Sequence, residues 1–148
     1  NATGKTLTLN EDSSYTFAVS DFGFADGNDS PAANALMNVI ITARPSAGTL
    51  KLSGVDVTAN QSIAVTDITA GNLVFTPAAS ATGTGYASIG FKVQDNGGTA
   101  NGGVDTSVAA NTLTINVTSV NDAPTAASST ITVLEDGSKI FAAADFGF

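Results

Sequence analysis

The side chains that could carry chemistry in this chain are its carboxylates. The 148 residues include 11 Asp and two Glu against five Lys and Arg, so the net charge is −8 at pH 7. Histidine and cysteine are absent, which excludes zinc sites, Cys-His nucleophiles and the Ser-His-Asp triad. The negative charge argues against binding to a phosphate backbone. It favours either the binding of divalent cations or a charged surface that keeps the protein soluble.

One acidic stretch occurs twice. The sequence NEDSSYTFAVSDFGF at 10–24 aligns with LEDGSKIFAAADFGF at 134–148 when the two are offset by 124 residues. A long match at a fixed spacing is typical of tandem repeats. The repetition therefore indicates a structural or binding module rather than a catalyst.

The repeat divides the chain into three predicted parts. Residues 1–120 are predicted to form one repeat, 121–129 a linker and 130–148 the start of the next repeat, within a longer protein. Pro124 favours extended backbone at Ala123, so the linker is expected to be short and fairly stiff. A unit of 124 residues can bury a core without disulfides. The chain contains no run of 18 apolar residues, so no membrane span is predicted.

The apolar residues alternate with period two in almost every apolar segment, which predicts strands. Strands are expected at 6–9, 15–19, 36–43, 49–52, 55–57, 62–65, 73–75, 86–93 and 112–118. We therefore predict an all-β fold, an antiparallel β-sandwich with Greek-key connections. The side chains expected to face its core include Tyr15, Phe17, Val19, Met37, Val39, Ile41, Ala43, Ala87, Ile89, Phe91, Val93, Leu113, Ile115 and Val117.

The linker VNDAPT at 120–125, the acidic loop and the repeated stretch resemble the cadherin-like tandem repeats of large bacterial surface and RTX-type adhesins. The middle of the unit, PSAGTLKLSGV…TDITAGNLVFTP…GYASIGFKVQDNGG, is similar to cadherin-like repeats of the chondroitin sulphate proteoglycan type. Together these resemblances cover nearly all of residues 1–124. They imply an immunoglobulin-like (Ig-like) sandwich that chelates calcium where one repeat meets the next.

The resemblance also implies which residues bind calcium. The implied ligands are Glu11, Asp21, Asp26, Asp29, Asn121 and Asp122, with Glu135 and Asp145 in the next copy. Calcium takes about six to eight oxygen ligands, and alternate loops of a sandwich share an end, so these groups could converge there with Asp95. Ordinary turn formation is the competing interpretation, and it is the one we favour for Asp95 and Asp105. Ser119 and Ala123 stand where the family's linker has Asp and Asn, so fewer or weaker ions are expected.

These features favour a non-catalytic extracellular module, secreted or on a bacterial cell surface. It would act in cell adhesion as a calcium-stiffened spacer or adhesive unit, with neighbouring repeats and a surface protein or glycan receptor as partners. The alternative is a metal-independent Ig-like domain that binds surface glycans or proteins through its loops. No enzyme activity is expected, since nothing marks a catalytic carboxylate pair.

The second copy of the repeated stretch leads to one further expectation. Residues 130–148 resemble residues 6–24 closely enough to occupy the same position in a folded unit. We therefore expect strand-exchanged oligomers in which this segment of one molecule adds to, or replaces, the first strands of another.

Overall fold

The computed structural model describes residues 1–27 and 33–147. In chain order its strands are β1 (Lys5–Asn10), β2 (Tyr15–Thr16), β3 (Leu36–Ala43), β4 (Thr49–Leu52), β5 (Val55–Asp56), β6 (Gln61–Ala64), β7 (Leu73–Thr76), β8 (Gly83–Asp95) and β9 (Asn111–Thr118). A short helix, α1 (Val65–Thr69), lies between β6 and β7. Turns of 3₁₀ helix occur at Val19–Phe22, Ala100–Gly102 and Ala143–Phe146.

The strands form two sheets that share one core, so the prediction of an all-β sandwich is confirmed. One sheet has five strands in the order β1-β9-β8-β3-β6, and the other has four in the order β2-β7-β4-β5. Buried side chains from both sheets belong to the same apolar cluster. Leu50 and Phe75 contribute from the smaller sheet, and Ile89 and Ile115 from the larger one.

The predicted purely antiparallel arrangement is wrong for one pair of strands. β1 and β9 run parallel, with Lys5 beside Leu113 and Asn10 beside Thr118. Parallel neighbours need a long connection, and here nearly the whole domain lies between the first strand and the last. The other strand pairs of the described sheets are antiparallel.

The period-two pattern predicts the core faces of β8 and β9 correctly. On β8 the buried side chains are Ala87, Ile89, Phe91 and Val93. On β9 they are Leu113, Ile115 and Val117. These strands are neighbours, and their inward residues form the centre of the larger sheet.

The same pattern is only half right on β3. Val39 and Ile41 are buried, but Met37 is 41% exposed and Ala43 is also exposed. The register with β8 shifts once near each end of β3, between Leu36 and Asn38 and again after Ile41. A shift of one residue moves a side chain to the other face, so Met37 and Ala43 turn outward.

The predicted strand at 15–19 is shorter in the structure. Only Tyr15 and Thr16 pair with β7, and the chain then enters the 3₁₀ turn Val19–Phe22. Phe17 is buried as expected, whereas Tyr15 and Val19 are partly buried. The turn forms because the side chain and backbone of Asp21 both bond back to Ala18.

Candidate functional site

The parallel pairing of β1 with β9 defines the two ends of the sandwich. At one end, which we call the linker end, β1 and β9 both finish and the chain continues through Glu11 and Ser119. At the other end, which we call the loop end, Asp95 closes β8 beside Leu36 at the start of β3. Acidic side chains lie at both ends, and another acid, Asp21, is buried beside Lys5 at the start of β1.

Glu11 connects the end of β1 to the segment that follows β9. Its side chain is buried although it is acidic, with 8% exposure. Oε1 accepts a hydrogen bond of 3.0 Å from the Ser119 hydroxyl and one of 2.8 Å from the Val120 amide. The Glu11 amide donates in turn to the carbonyl of Thr118 at 2.9 Å. We call this set of bonds the linker contact, because it fixes the first residues of the linker to the sandwich.

Asp21 is held by three donors and is almost completely buried, at 2% exposure. Lys5 Nζ lies 2.6 Å from Oδ1, while the Tyr15 hydroxyl and the Ala18 amide donate to Oδ2 at 3.1 and 2.9 Å. The hydrogen bond to Asp21 is the main cause that raises the pKa of Lys5 above its ordinary value of 10.5. Burial, helped by the bond to Asp21, raises the pKa of Tyr15 above 10.0.

The environment of Asp21 does not fit a calcium ligand. An ammonium group at 2.6 Å already balances the carboxylate charge, and a cation site would bring a second positive charge beside it. Asp145 has a related environment, because Lys139 Nζ lies 3.3 Å from its Oδ2. Both aspartates instead stabilise a tight turn of the backbone.

Asp26 lies at the loop end, away from Glu11. Its Oδ2 accepts a bond of 2.8 Å from the Asn34 amide, and its side chain lines a shallow cleft that Asp95 also lines. Asp95 Oδ1 accepts from the Gly97 amide at 2.8 Å, the kind of turn contact that we favoured for it. Asp105 accepts from the Gln94 side chain at 3.0 Å. The predicted ligand Asp29 lies outside the described residues.

The remaining predicted ligands are exposed. Asn121, Asp122 and Glu135 all lie on the surface. The side-chain amide of Asn121 donates to the backbone carbonyl of Asp122 at 3.2 Å. These residues are accessible to solvent, but within the described residues the carboxylates of Asp122 and Glu135 do not form a group of three with that of Glu11.

Within residues 1–27 and 33–147, no group of three or more His, Cys, Asp or Glu side chains is arranged to hold a metal ion. The expected convergence of Glu11, the acidic loop and Asp95 is absent from this part of the chain, because the first lies at the linker end and the others at the loop end. In the part of the chain that the structure describes, the carboxylates of one unit are therefore not gathered into a group that could hold calcium. Among the described residues, no helix is long and apolar enough to cross a membrane.

Sequence reasoning missed the partners of the two buried acids. The sequence pattern assigns no role to Lys5 and predicts Tyr15 only as a core-facing side chain, yet both bond to Asp21. Ser119 was noted only as a departure from the family's linker, yet its hydroxyl donates to Glu11. The available signal was the loss of an acid at that position, since a hydroxyl supplies the donor that a buried carboxylate requires.

Comparisons of this chain with protein-family models, with curated proteins and with solved structures find no match.

Proposed function

We propose that this chain is a non-catalytic repeat module of a large extracellular protein, secreted or on a bacterial cell surface, that serves as a spacer or adhesive unit in cell adhesion. The finer fold assignment, an Ig-like sandwich with Greek-key connections, belongs to the same proposal. The linker contact is the observation that carries it. The buried carboxylate of Glu11 fixes the residues that follow β9 to the sandwich. The orientation of the sandwich then determines the direction in which the next unit begins.

The local structure of the second copy supports a tandem arrangement. Asp145 lies 124 residues after Asp21, and each caps the start of a 3₁₀ turn by accepting a bond from the amide three residues earlier. Glu135 stands in the second copy where Glu11 stands in the first. The glutamate and the turn-forming aspartate of the first copy are thus present again after the linker.

The direction of the chain supports a head-to-tail order of units. The chain leaves the sandwich at the linker end, where Asp12 and Asp122 accompany Glu11, while β1 begins toward the loop end. The linker end of one unit would then face the loop end of the next, with acidic side chains on both sides. Exposed like charges within about 8–10 Å repel each other at moderate ionic strength.

Calcium is the cofactor that the resemblance implies, and we propose that it binds between two units rather than within one. The described residues of a single unit offer no suitable group of donors, whereas the head-to-tail order would combine acids from two ends. Asp21 and Asp145 take no part in this proposal, because each is paired with a lysine.

A tandem protein tests the proposal. Residues 1–124 would be joined in front of the complete chain, and calcium titrated into the chelated protein by calorimetry, with small-angle scattering alongside. We expect saturable binding in the tandem protein that the single chain lacks, and an elongated particle whose flexibility increases in the Glu11→Ala variant. Glu135→Ala in the single chain is the matched control, which shows whether replacing a glutamate by alanine changes the measurements by itself. A tandem protein that is flexible with and without calcium would contradict the spacer function.

The alternative function is a metal-independent domain that binds glycans or proteins through its loops. The loop end carries a cleft of about 240 Å³ lined by Asp26, Asp95 and Thr106. This volume is below the range of about 300–1,000 Å³ that is usual for small-molecule sites, so the observation favours a shallow contact with a larger partner. Binding on a glycan array that survives chelation and is lost in Asp26→Ala would favour this alternative.

A further inference from the structure

The segment after the linker has the same internal geometry as the start of the sandwich. Phe17 and Phe22 have ring centroids 5.8 Å apart with an angle of 35° between the rings. Their counterparts 124 residues later, Phe141 and Phe146, lie 5.9 Å apart at 36°. The two rings of each copy therefore form the same apolar surface.

The backbone turn that presents these rings is also the same. Asp21 accepts a bond of 2.9 Å from the Ala18 amide, and Asp145 accepts one of 2.8 Å from the Ala142 amide. Each turn ends in a glycine with left-handed backbone, at φ +49° in the first copy and +59° at Gly147. The second copy thus has the local fold of the first, although the described sandwich does not cover its two rings.

The two copies differ in what covers them. Phe17 and Phe22 are 2% and 1% exposed, and Phe22 meets Phe91 of β8 edge to face at 5.2 Å. Phe141 and Phe146 are 60% and 63% exposed. The second copy therefore presents to solvent the surface that the first copy buries, and its natural complement is the core face and β9 edge of a sandwich of this kind.

We propose that residues 129–147 bind to a second copy of this chain, in the position that residues 5–23 occupy there. Residues 129–134 then run parallel to β9 of the partner molecule, in the register that β1 uses. Phe146 packs against the partner's copy of Phe91. Because donor and acceptor are different parts of the chain, the association is head to tail and can extend beyond a dimer.

The differences between the copies set when this exchange occurs. Ser129 replaces Lys5 and Lys139 replaces Tyr15, so the incoming segment lacks the short ion pair and the edge-to-face contact of Tyr15 with Phe17. Residues 5–23 of each molecule are covalently joined to their own sandwich. They therefore compete with the incoming segment at an effective concentration in about the millimolar range. We therefore expect slow association that becomes visible only at high protein concentration, once the resident segment opens.

A pair of single substitutions in the segment separates this exchange from non-specific adhesion. Phe146→Ser removes the ring that would enter the partner's core, and we expect it to weaken association by about tenfold or more. Ile140→Ser is the matched control, because Ile140 is 91% exposed and aligns with Thr16, whose side chain faces outward. Sedimentation velocity of the complete chain over a range of concentrations would measure both effects. Equal loss in the two variants, or a strict monomer at millimolar concentration, would overturn the proposal.

Cysteine pairing tests the register directly, since the natural chain has no cysteine. Thr6 pairs with Thr114 in the sandwich, so exchange places Thr130 of one molecule beside Thr114 of another. A mixture of the variants Thr130→Cys and Thr114→Cys is expected to form a disulfide-linked heterodimer under mild oxidation. Thr130→Cys mixed with Ser62→Cys, on the opposite edge strand β6, is the control. Equal yields from the two mixtures would contradict the proposed position.

Discussion

At the scale of single residues, the two buried acids of this chain stabilise its fold. Glu11 and Asp21 are the buried charged residues of the described structure, and each accepts hydrogen bonds from side chains and backbone. A buried carboxylate is stable only when its oxygens are bonded. Both carboxylates therefore have hydrogen-bond donors within one unit.

Glu11→Ala should destabilise the sandwich. The substitution leaves the Ser119 hydroxyl and the Val120 amide without their acceptor, and hydrogen bonds to a charged group contribute about 1.5–3 kcal/mol. We expect a loss of about 2 kcal/mol in the free energy of unfolding, measured by urea denaturation.

Glu135→Ala is the control for that measurement, because Glu135 is its exposed counterpart in the second copy. Its effect should stay within about 0.5 kcal/mol. Equal effects of the two substitutions would show that the linker contact does not contribute to stability.

The stability of the fold should decrease at alkaline pH. The pKa values of Lys5 and Tyr15 are both raised above their ordinary values of 10.5 and 10.0, so the folded state binds more protons than the unfolded state above pH 10. The contribution of these groups is therefore complete below pH 10 and is lost as the pH rises through the folded-state values. Urea midpoints measured between pH 8 and 11.5 would show the decrease.

Two variants test whether Lys5 and Tyr15 cause the decrease in stability at alkaline pH. Tyr15→Phe and Lys5→Met each remove one of the raised groups, so each should flatten the alkaline decrease while Asp21 remains in place. A decrease of the same steepness in the double variant would mean that other groups cause it.

At the scale of elements, the period-two pattern predicts which face of a strand is buried but not which strand lies beside it. It identifies the inward residues of β8 and β9 because a side chain's face depends only on its position in its own strand. The parallel pairing of β1 with β9 depends on the path of the whole chain, so no local pattern contains it. The bonds of Glu11 to Ser119 and Val120 join residues about 108 positions apart and were missed for the same reason.

The repeated 3₁₀ turn shows what local sequence can specify without a core. The turn at Ala143–Phe146 keeps the same aspartate bond and the same left-handed glycine as the turn at Val19–Phe22. Sequence analysis identified the repeated residues but assigned Asp21 and Asp145 to a metal ion. The structure places a lysine ammonium beside each of them, which spacing alone could not reveal.

Deleting residues 126–148 should leave the sandwich equally stable. The hydrogen bonds of Ser129, Ala142 and Ala127 join residues of the same segment, and the large apolar side chains of that segment are exposed apart from the partly buried Ile131. The free energy of unfolding should therefore change by less than about 0.5 kcal/mol. A loss well above about 1 kcal/mol in urea denaturation would show that the segment packs against the sandwich.

At the scale of the whole molecule, the acidic residues are distributed between the two ends of the sandwich. Glu11 and Asp122 belong to the linker end, and Asp26 and Asp95 to the loop end. With a net charge of −8, units placed end to end should repel each other more strongly at low ionic strength. The exposed charge at the two ends should therefore matter most where one unit lies beside another.

The parallel pairing of β1 and β9 also determines how the unit would respond to tension. A force that pulls the chain apart would act on β1 at Lys5 and on β9 at Thr118, which lie at opposite ends of two adjacent strands. The strands would then have to slide past each other, so the bonds across all six registered pairs, from Lys5–Leu113 to Asn10–Thr118, would carry the load together. A hairpin pulled from its open end instead loses its bonds one at a time. The arrangement of the first and last strands therefore gives this fold the geometry of a shear-resistant mechanical element.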